Sequence, residues 1–501
     1  MSIQENFKQK SLQSLVNLLA SHKTTRANIL KLIEKKAYKE MVEETSKDRP
    51  KPVLEDTYEY TMALLHSFYR ALDRGLISKQ VLTRLTDIFV NKVVLSHERD
   101  EAARALGFEP PLLVVVSPTG KCNLRCVGCY AASDPNQHGS LSFETFDRIL
   151  REKREFWGSH FTVISGGEPT LWRDGKKDIF DMVARHSEDV FMMYSNATLI
   201  SDEVAKRMGE LGNITPAISV EGFERETDAR RGKGTYRLIL KAFESLRKYG
   251  VPFGISATPT KYNWDIITSD RFIDYYFFQQ GAVYGWLFQY MPVGRGQTLE
   301  LMVQPEDRVK MLKRTQRIVR EKKVFVADFW NSGVASSGCI SAGRPGGYFY
   351  IDWNGDITPC VFIPYAADNI HRIYAKGGNI NTVLKSPFFK AIRTWQDEYG
   401  YRQPAEKTGN WSRPCIIRDH FSVLEDAVAK NKPVPINDEA AVAIKDKAYC
   451  EGMIRYDQEL KRLTEPIWTE KYLEKGAGHT EPLPRMRSRA ETLPREHGQG
   501  L

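Results

Sequence analysis

Three cysteines fall within eight residues of the segment Lys121-Cys122-Asn123-Leu124-Arg125-Cys126-Val127-Gly128-Cys129-Tyr130, directly after an apolar run ending at Val116. Thiolates spaced this closely can wrap one iron–sulfur cluster and ligate three of its irons. No fourth cysteine lies nearby. One iron would then keep an open position, which is how a metal centre does chemistry. A Cys-x2-Cys pair taken alone is also a zinc half-site or a redox pair, and buried cysteines often serve only as small apolar residues. Two further segments carry functional groups at the ends of apolar runs. Ser165-Gly166-Gly167-Glu168-Pro169-Thr170 joins a glycine pair, which allows close backbone approach, to a carboxylate that can pair with an ammonium group. Ser219-Val220-Glu221-Gly222 is followed by Asp228 and by Arg231-Gly232-Lys233-Gly234.

These segments need elements that place them together. β-rich runs occur over 112–117, 161–165, 190–195, 214–220, 252–258 and 283–292, with helix-period segments over 143–156, 178–186, 202–211, 236–249, 265–280 and 305–322. Six β-α units in succession imply a parallel sheet with right-handed crossovers, and six is too few for a closed eight-stranded barrel. The expectation is an α/β fold with a partial (β/α)6 barrel over 109–322 and chemistry at the carboxyl ends of its strands. Residues 1–108 read as helical, with Leu12, Leu15, Val16, Leu18 and Leu19, then Ile29, Leu30, Leu32 and Ile33, at helical spacing. Ser78 is placed to cap a further helix. An irregular cysteine-bearing domain is expected over 323–430, a helical segment over 431–475 and a disordered tail over 476–501.

The Cys-x3-Cys-x2-Cys pattern resembles the radical S-adenosylmethionine (radical SAM) superfamily. The resemblance implies that Cys122, Cys126 and Cys129 hold a [4Fe–4S] cluster whose open iron is chelated by SAM. Reduction of the cluster would cleave SAM to methionine and a 5′-deoxyadenosyl radical that abstracts a hydrogen atom from the substrate. It further implies that Gly166, Gly167 and Glu168 contact the SAM amino group and that Ser195 and Asn196 form a turn near the ribose. Ser219 would face the ribose hydroxyls, Arg231 would reach the SAM carboxylate, and Met291-Pro292-Val293-Gly294 would border the adenine. Two positions depart from the family pattern: Gly128 stands where an aromatic residue is usual, and Glu221 where an aspartate is usual.

Cys339, Cys360, Cys415 and Cys450 remain. Gly355-Asp356-Ile357-Thr358-Pro359-Cys360 closes a hairpin with a turn at Asn354-Gly355 and resembles the Gly-x4-Cys hairpin of SPASM or twitch extensions. Asp352 and Gly378-Asn379-Ile380 agree with that resemblance. A full extension carries a further Cys-x2-Cys-x3-Cys triplet that this chain lacks, so at most one auxiliary [4Fe–4S] cluster is expected, through Cys339, Cys360 and Cys415. A zinc site is the alternative there. Cys450 lies in a helical stretch, and His420 is a reserve ligand.

The formal net charge of +9 is spread thinly, with no basic run of nucleic-acid length. No apolar run approaches the ~20 residues of a bilayer span, and no secretory signal opens the chain. An odd number of cysteines without an export signal fits reduced thiols in the cytoplasm. The expected activity is radical SAM chemistry on a small molecule, a lipid or a peptide, with flavodoxin or ferredoxin as reductant. The N-terminal helices offer a surface for membrane contact. The alternative is a non-enzymatic iron–sulfur carrier or redox sensor, which has no use for the Gly-Gly-Glu segment.

Overall fold

The computed structural model describes residues 23–44, 48–94 and 96–474. The expected first helix through Leu12 and Leu19 and the expected tail lie outside the described residues. Seven strands follow one another in space as in sequence, all parallel: β1 (Leu113–Val116), β2 (Phe161–Ile164), β3 (Val190–Ser195), β4 (Ile214–Ser219), β5 (Gly254–Ala257), β6 (Gly285–Leu287) and β7 (Val326–Asp328). Residues of β1 and β2 are buried along nearly their whole length. That is the signature of a parallel sheet covered on both faces, and it explains the unbroken Val114-Val115-Val116 run.

Local signals start and stop the helices between them. Ser142 caps Phe143–Trp157 by accepting from the Thr145 amide, and Gly158 ends it at φ +55°. Asp178 and Asp181 form a capping box on Ile179–Arg185. The expected helix over 265–280 is instead three short pieces, because Ser269 starts a new turn by accepting from the Phe272 amide. Its side chain competes with helix continuation.

The sheet also runs past residue 322, where the sequence reading ends the barrel. β7 adds a seventh strand from a short apolar run that periodicity alone does not reveal. On the other side, β8 (Tyr348–Ile351) pairs parallel with β1, and β9 (Asp356–Thr358) and β10 (Asp368–Asn369) continue antiparallel. The hairpin carrying Cys360 therefore belongs to the same ten-stranded sheet as the first cysteine loop. Strand β6 stops at Leu287 instead of reaching 292, since the chain turns away and the Tyr290 amide bonds the Pro259 carbonyl.

Helices Lys23–Tyr38, Lys51–Asp73, Lys79–Ile88 and Glu98–Leu106 precede the sheet. Ser78 caps the third, as its position predicts. The apolar face of Lys51–Asp73 is packed against the protein: Val53 and Ala63 are fully buried, and Tyr60 meets Phe325 at 6.3 Å and hydrogen-bonds Ser332. Asp56 on this helix joins it to the helical segments Thr469–Glu474 and Ile318–Lys322. Its buried carboxylate accepts from Tyr472 Oη at 2.6 Å and from Lys471 Nζ at 3.0 Å, and it pairs with Arg320. Among the described residues no helix is long and apolar enough to cross a membrane.

Removing one member of a buried charge network leaves the others uncompensated. Asp56→Ala should lower unfolding stability by about 3 kcal/mol in urea titration; a loss below about 0.5 kcal/mol would mean that the terminal helices are held by apolar packing alone.

Candidate functional site

The chain from Ser117 to Tyr130 has almost no regular structure, so its shape is imposed from outside. Cys122 is buried, and Cys126 and Cys129 are half-buried. Two arginines hold the loop by its carbonyls. Arg230 donates to Val127 O and Gly128 O, and Arg295 donates to Cys126 O, Ala132 O and Ser133 O. Main-chain bonds from Val127 N to Arg230 O and from Arg295 N to Cys129 O close the frame. Gly128 sits at φ +64°, and a Cβ there would lie 2.5 Å from the Tyr290 ring. The aromatic side chain usual at that position thus has no room here, because Tyr290 fills the space from β6's loop.

Gly166 and Gly167 serve the protein before any ligand. A Cβ on Gly167 would stand 2.1 Å from the Lys121 carbonyl oxygen, and one on Gly166 2.7 Å from that of Thr119. With hydrogen alone there, Gly167 N bonds Thr119 O and Glu168 N bonds Lys121 O. The end of β2 is thereby seated on the cysteine loop. Glu168 is fully buried, and burial raises its pKa. Its Oε1 accepts from Thr170 N, Thr170 Oγ1 and Ser195 Oγ, and its Oε2 from Asn196 N at 2.8 Å. Oε2 keeps acceptor capacity for one more donor. Asn196 in turn directs Nδ2 at Cys122 Sγ, 3.7 Å away.

Glu221, at the end of β4, is the second buried carboxylate. Its Oε1 accepts from Arg230 Nη1 and from Arg231 Nε and Nη2, and its Oε2 from Thr258 N. Arg231 therefore spends two nitrogens on Glu221 and turns only Nη1 toward Cys126 Sγ, at 3.9 Å. Asp228 caps the next helix by accepting from Gly234 N and Tyr236 N, which accounts for the Arg-Gly-Lys-Gly stretch as a helix start. Ser219 is half-buried, and among the described residues its hydroxyl has no hydrogen-bond partner. Gly294, at φ +74°, packs on the carbonyls of Cys129 and Tyr130, so the Met291–Gly294 turn touches the cysteine loop itself.

The thiols share one electrostatic environment. Burial pushes Cys122 up to about 12, with smaller contributions from Glu168, Cys126 and Cys129. Such a thiol gives up its proton on binding a metal. Among the described residues no group of three His, Cys, Asp or Glu side chains is arranged for a single metal ion. Three thiols on one loop, with an amide and a guanidinium donor aimed at two of the sulfurs, have the chemistry of an iron–sulfur ligand set.

The second set converges from three separate segments. Burial raises the pKa of Tyr348, with smaller contributions from Cys360, Cys339 and Cys415, and its hydroxyl lies 3.0 Å from Cys360 Sγ. Burial pushes Cys360 up to about 12 and Cys415 well above its ordinary value. Cys450 is elsewhere, with Sγ 3.6 Å from the Ala443 and Ile444 carbonyls. His420 bonds Arg413 O and packs on Trp395 and Tyr399, and burial lowers it to about 4. Asp352 accepts from Asn354 N and Asp356 N and so holds the hairpin turn.

Between the two sets stands a wall of aromatic rings that patterning had not singled out. Tyr194 meets Phe288 at 5.6 Å, Phe288 meets Phe329 at 5.3 Å, and Phe362 contacts Phe288, Phe329 and Tyr130. Tyr194, Phe288 and Phe329 lie at the carboxyl ends of β3, β6 and β7 and stay half-exposed.

Residues 116–273 match the model of the Radical SAM superfamily. The chain carries a radical SAM domain. It is 27% identical over 292 residues to the AdoMet-dependent heme synthase of Methanosarcina barkeri, covering 52% of this chain and 80% of that protein. It is 27% identical over 300 residues to the mycofactocin maturase MftC of Mycolicibacterium smegmatis, covering 57% and 74%. The Streptococcus suis SuiB structure bound to precursor peptide SuiA aligns with 59% of this chain and 70% of its own, at 19% identity and a TM-score of 0.47. The protein is a radical SAM enzyme, and its superfamily implies a [4Fe–4S] cluster and SAM.

The Gly167 seat is open to direct test. Gly167→Ala should abolish iron uptake on anaerobic reconstitution while far-ultraviolet circular dichroism stays unchanged; retention of wild-type iron would mean that the loop forms without that contact.

Proposed function

We propose that Cys122, Cys126 and Cys129 ligate three irons of the [4Fe–4S] cluster and that SAM binds beside it, between the ends of β2, β3 and β4. Reduced by one electron, that assembly supplies an oxidant able to remove a hydrogen atom from an unactivated C–H bond. The chain's own residues position it. The free acceptor site on Glu168 Oε2 suits the SAM ammonium, and the unpartnered Ser219 hydroxyl suits a ribose hydroxyl. Arg231, held by Glu221, offers Nη1 to the cluster sulfur at Cys126 instead of a two-pronged grip on a carboxylate. Hydrogen bonds to cluster sulfurs are one of the protein's means of setting its potential. Cys339, Cys360 and Cys415 are proposed to hold one auxiliary cluster, and Cys450 to be a packing residue.

The observation that carries this reading is the convergence of three thiols, two buried carboxylates and their donors at the carboxyl ends of adjacent parallel strands. For the substrate, the wall of Tyr194, Phe288, Phe329 and Phe362 favours an apolar, ring-bearing or long-chain molecule over a hydrophilic peptide. One relative is named for heme synthesis and another for mycofactocin maturation, and the aromatic wall leans toward the first kind of partner.

Iron and sulfide after anaerobic reconstitution should amount to about two [4Fe–4S] clusters in the wild type and about one in a Cys122→Ala/Cys126→Ala/Cys129→Ala variant. With dithionite and SAM, only the wild type should yield methionine and 5′-deoxyadenosine, faster in the presence of apolar ring-bearing compounds than of peptides. Uptake of zinc without iron would overturn the assignment, and an iron-free triple variant would remove the auxiliary cluster from it.

A further inference from the structure

Arg418 lies on the short helix Ile416–Asp419, just past Cys415, and is fully buried. Its Nη2 donates to Tyr456 Oη at 2.7 Å, while Nε and Nη1 have no hydrogen-bond partner among the described residues. The guanidinium lies over the rings of Trp330, at 5.2 Å, and of Tyr456, at 5.1 Å. Trp330 is itself fully buried, and its Nε1 has no partner at ordinary hydrogen-bond length. That indole faces the second cysteine set. Burial raises the Cys415 thiol, and Trp330 acts on it in the opposite sense, as a neighbouring donor.

A buried charge without a partner and buried donors without acceptors are both strongly disfavoured. The carboxylates of this region are engaged elsewhere. Asp419 accepts from Arg308 through both oxygens and from Cys415 N. Burial would raise its pKa, but Arg308, and after it Arg418 and Arg413, hold it below the ordinary value. Asp457 pairs with Arg413. Asp328 accepts from the side chains of Gln289 and Asn331, and burial raises its pKa. Three buried guanidiniums, those of Arg308, Arg413 and Arg418, thus share Asp419 and Asp457, and Arg418 is the one with no ion pair. What the arrangement calls for is negative charge with acceptor capacity beside Trp330 and Cys415.

We propose that Arg418 is the buried counter-ion of an auxiliary iron–sulfur cluster on Cys339, Cys360 and Cys415, with Trp330 Nε1 as a donor on its Cys415 side. The inference rests on the auxiliary-cluster reading above and adds what sets that centre's potential. Net charge, hydrogen bonds to the sulfurs and solvent exposure are the protein's means of setting a cluster's potential. Here all three come from two side chains: a guanidinium, an indole N–H and their own burial. Reduction adds one negative charge to the centre, and a fixed cation nearby favours the more negative state. Arg418 therefore raises the potential and makes the centre a better electron acceptor. Zinc on the same thiolates has no redox step for this charge to act on.

The test uses the full chain, reconstituted anaerobically in the Cys122→Ala/Cys126→Ala/Cys129→Ala background, where an auxiliary cluster is the only one left. Its midpoint potential is read by redox titration followed by electron paramagnetic resonance. Arg418→Met should lower the ratio of reduced to oxidised cluster at a fixed potential at least about tenfold, a downward shift of about 59 mV for one electron. Arg418→Gln should shift it in the same direction, and it carries the test if the methionine variant takes up no iron. Arg418→Lys, which keeps the charge, should stay within about threefold of the background chain. Trp330→Phe, which keeps the ring and removes the N–H, should give a smaller downward shift. An unshifted potential in Arg418→Met or Arg418→Gln with full iron would overturn the role of Arg418, as would a lysine variant shifted as far as either. A background chain that takes up zinc or no iron would instead sink the auxiliary cluster, and this inference with it.

Discussion

Nothing larger than a hydrogen atom fits between Gly167 and the carbonyl of Lys121. That contact fixes where the second strand ends relative to the cysteine loop, and the arrangement of the site follows from it. A loop of this length with little secondary structure would otherwise have many accessible shapes, at about 1–2 kcal/mol of conformational entropy per residue ordered. Here it is held between backbones: Gly167 on one side, and Gly294 against Cys129 and Tyr130 on the other. Arg230 and Arg295 then satisfy carbonyls that a buried irregular segment would leave unpaired.

Two buried carboxylates set the electrostatics on this frame, each at the end of a strand and each engaged before any cofactor arrives. Glu168 joins β2 to β3 through Ser195 and Asn196, and Glu221 joins β4 to β5 through Thr258 while gathering Arg230 and Arg231. A buried carboxylate without such donors would take up a proton or unfold its surroundings. Satisfied, it is a rigid dipole source. The donors it orients, Asn196 toward Cys122 and Arg231 toward Cys126, therefore need no rearrangement when negative charge builds up on the sulfurs.

Much of this was legible in the sequence, and for a physical reason. Strand and helix periodicity placed six β-α units, and cysteine spacing placed the loop, because both depend on residues close in the chain. The grouping of Cys339, Cys360 and Cys415 was an expectation from the hairpin's resemblance to a SPASM or twitch extension. What stayed hidden depends on pairing between distant segments. Nothing in the local sequence around Arg230 or Arg295 marks the distant carbonyls that they hold. The engagement of Arg231 by Glu221, ten residues earlier, has no local signal, because nothing in the sequence marks Glu221 as buried. Tyr290 explains the missing aromatic residue at 128, a substitution across space that no local pattern records. The aromatic wall was equally invisible, since its rings come from four different strand ends.

The pairing of β8 with β1 changes how the two cysteine sets relate. Were the second set on a tethered domain, its distance from the first would vary with the linker. Instead Val116 stands opposite Ile351 in one hydrogen-bonded sheet, and Tyr350 bonds Ser117 at the root of the cysteine loop. Tyr130, the residue after Cys129, bonds Ser165 beyond β2 and stacks edge-on against Phe362, two residues after Cys360. The two cysteine-bearing segments are thus joined through one sheet and through the Tyr130–Phe362 ring contact. Under the proposed assignment, a substrate packed on these rings would have its reacting carbon chosen by fit against them. That is a specificity determined by packing, and it explains why the chemistry-bearing motifs can be read so plainly while the substrate cannot.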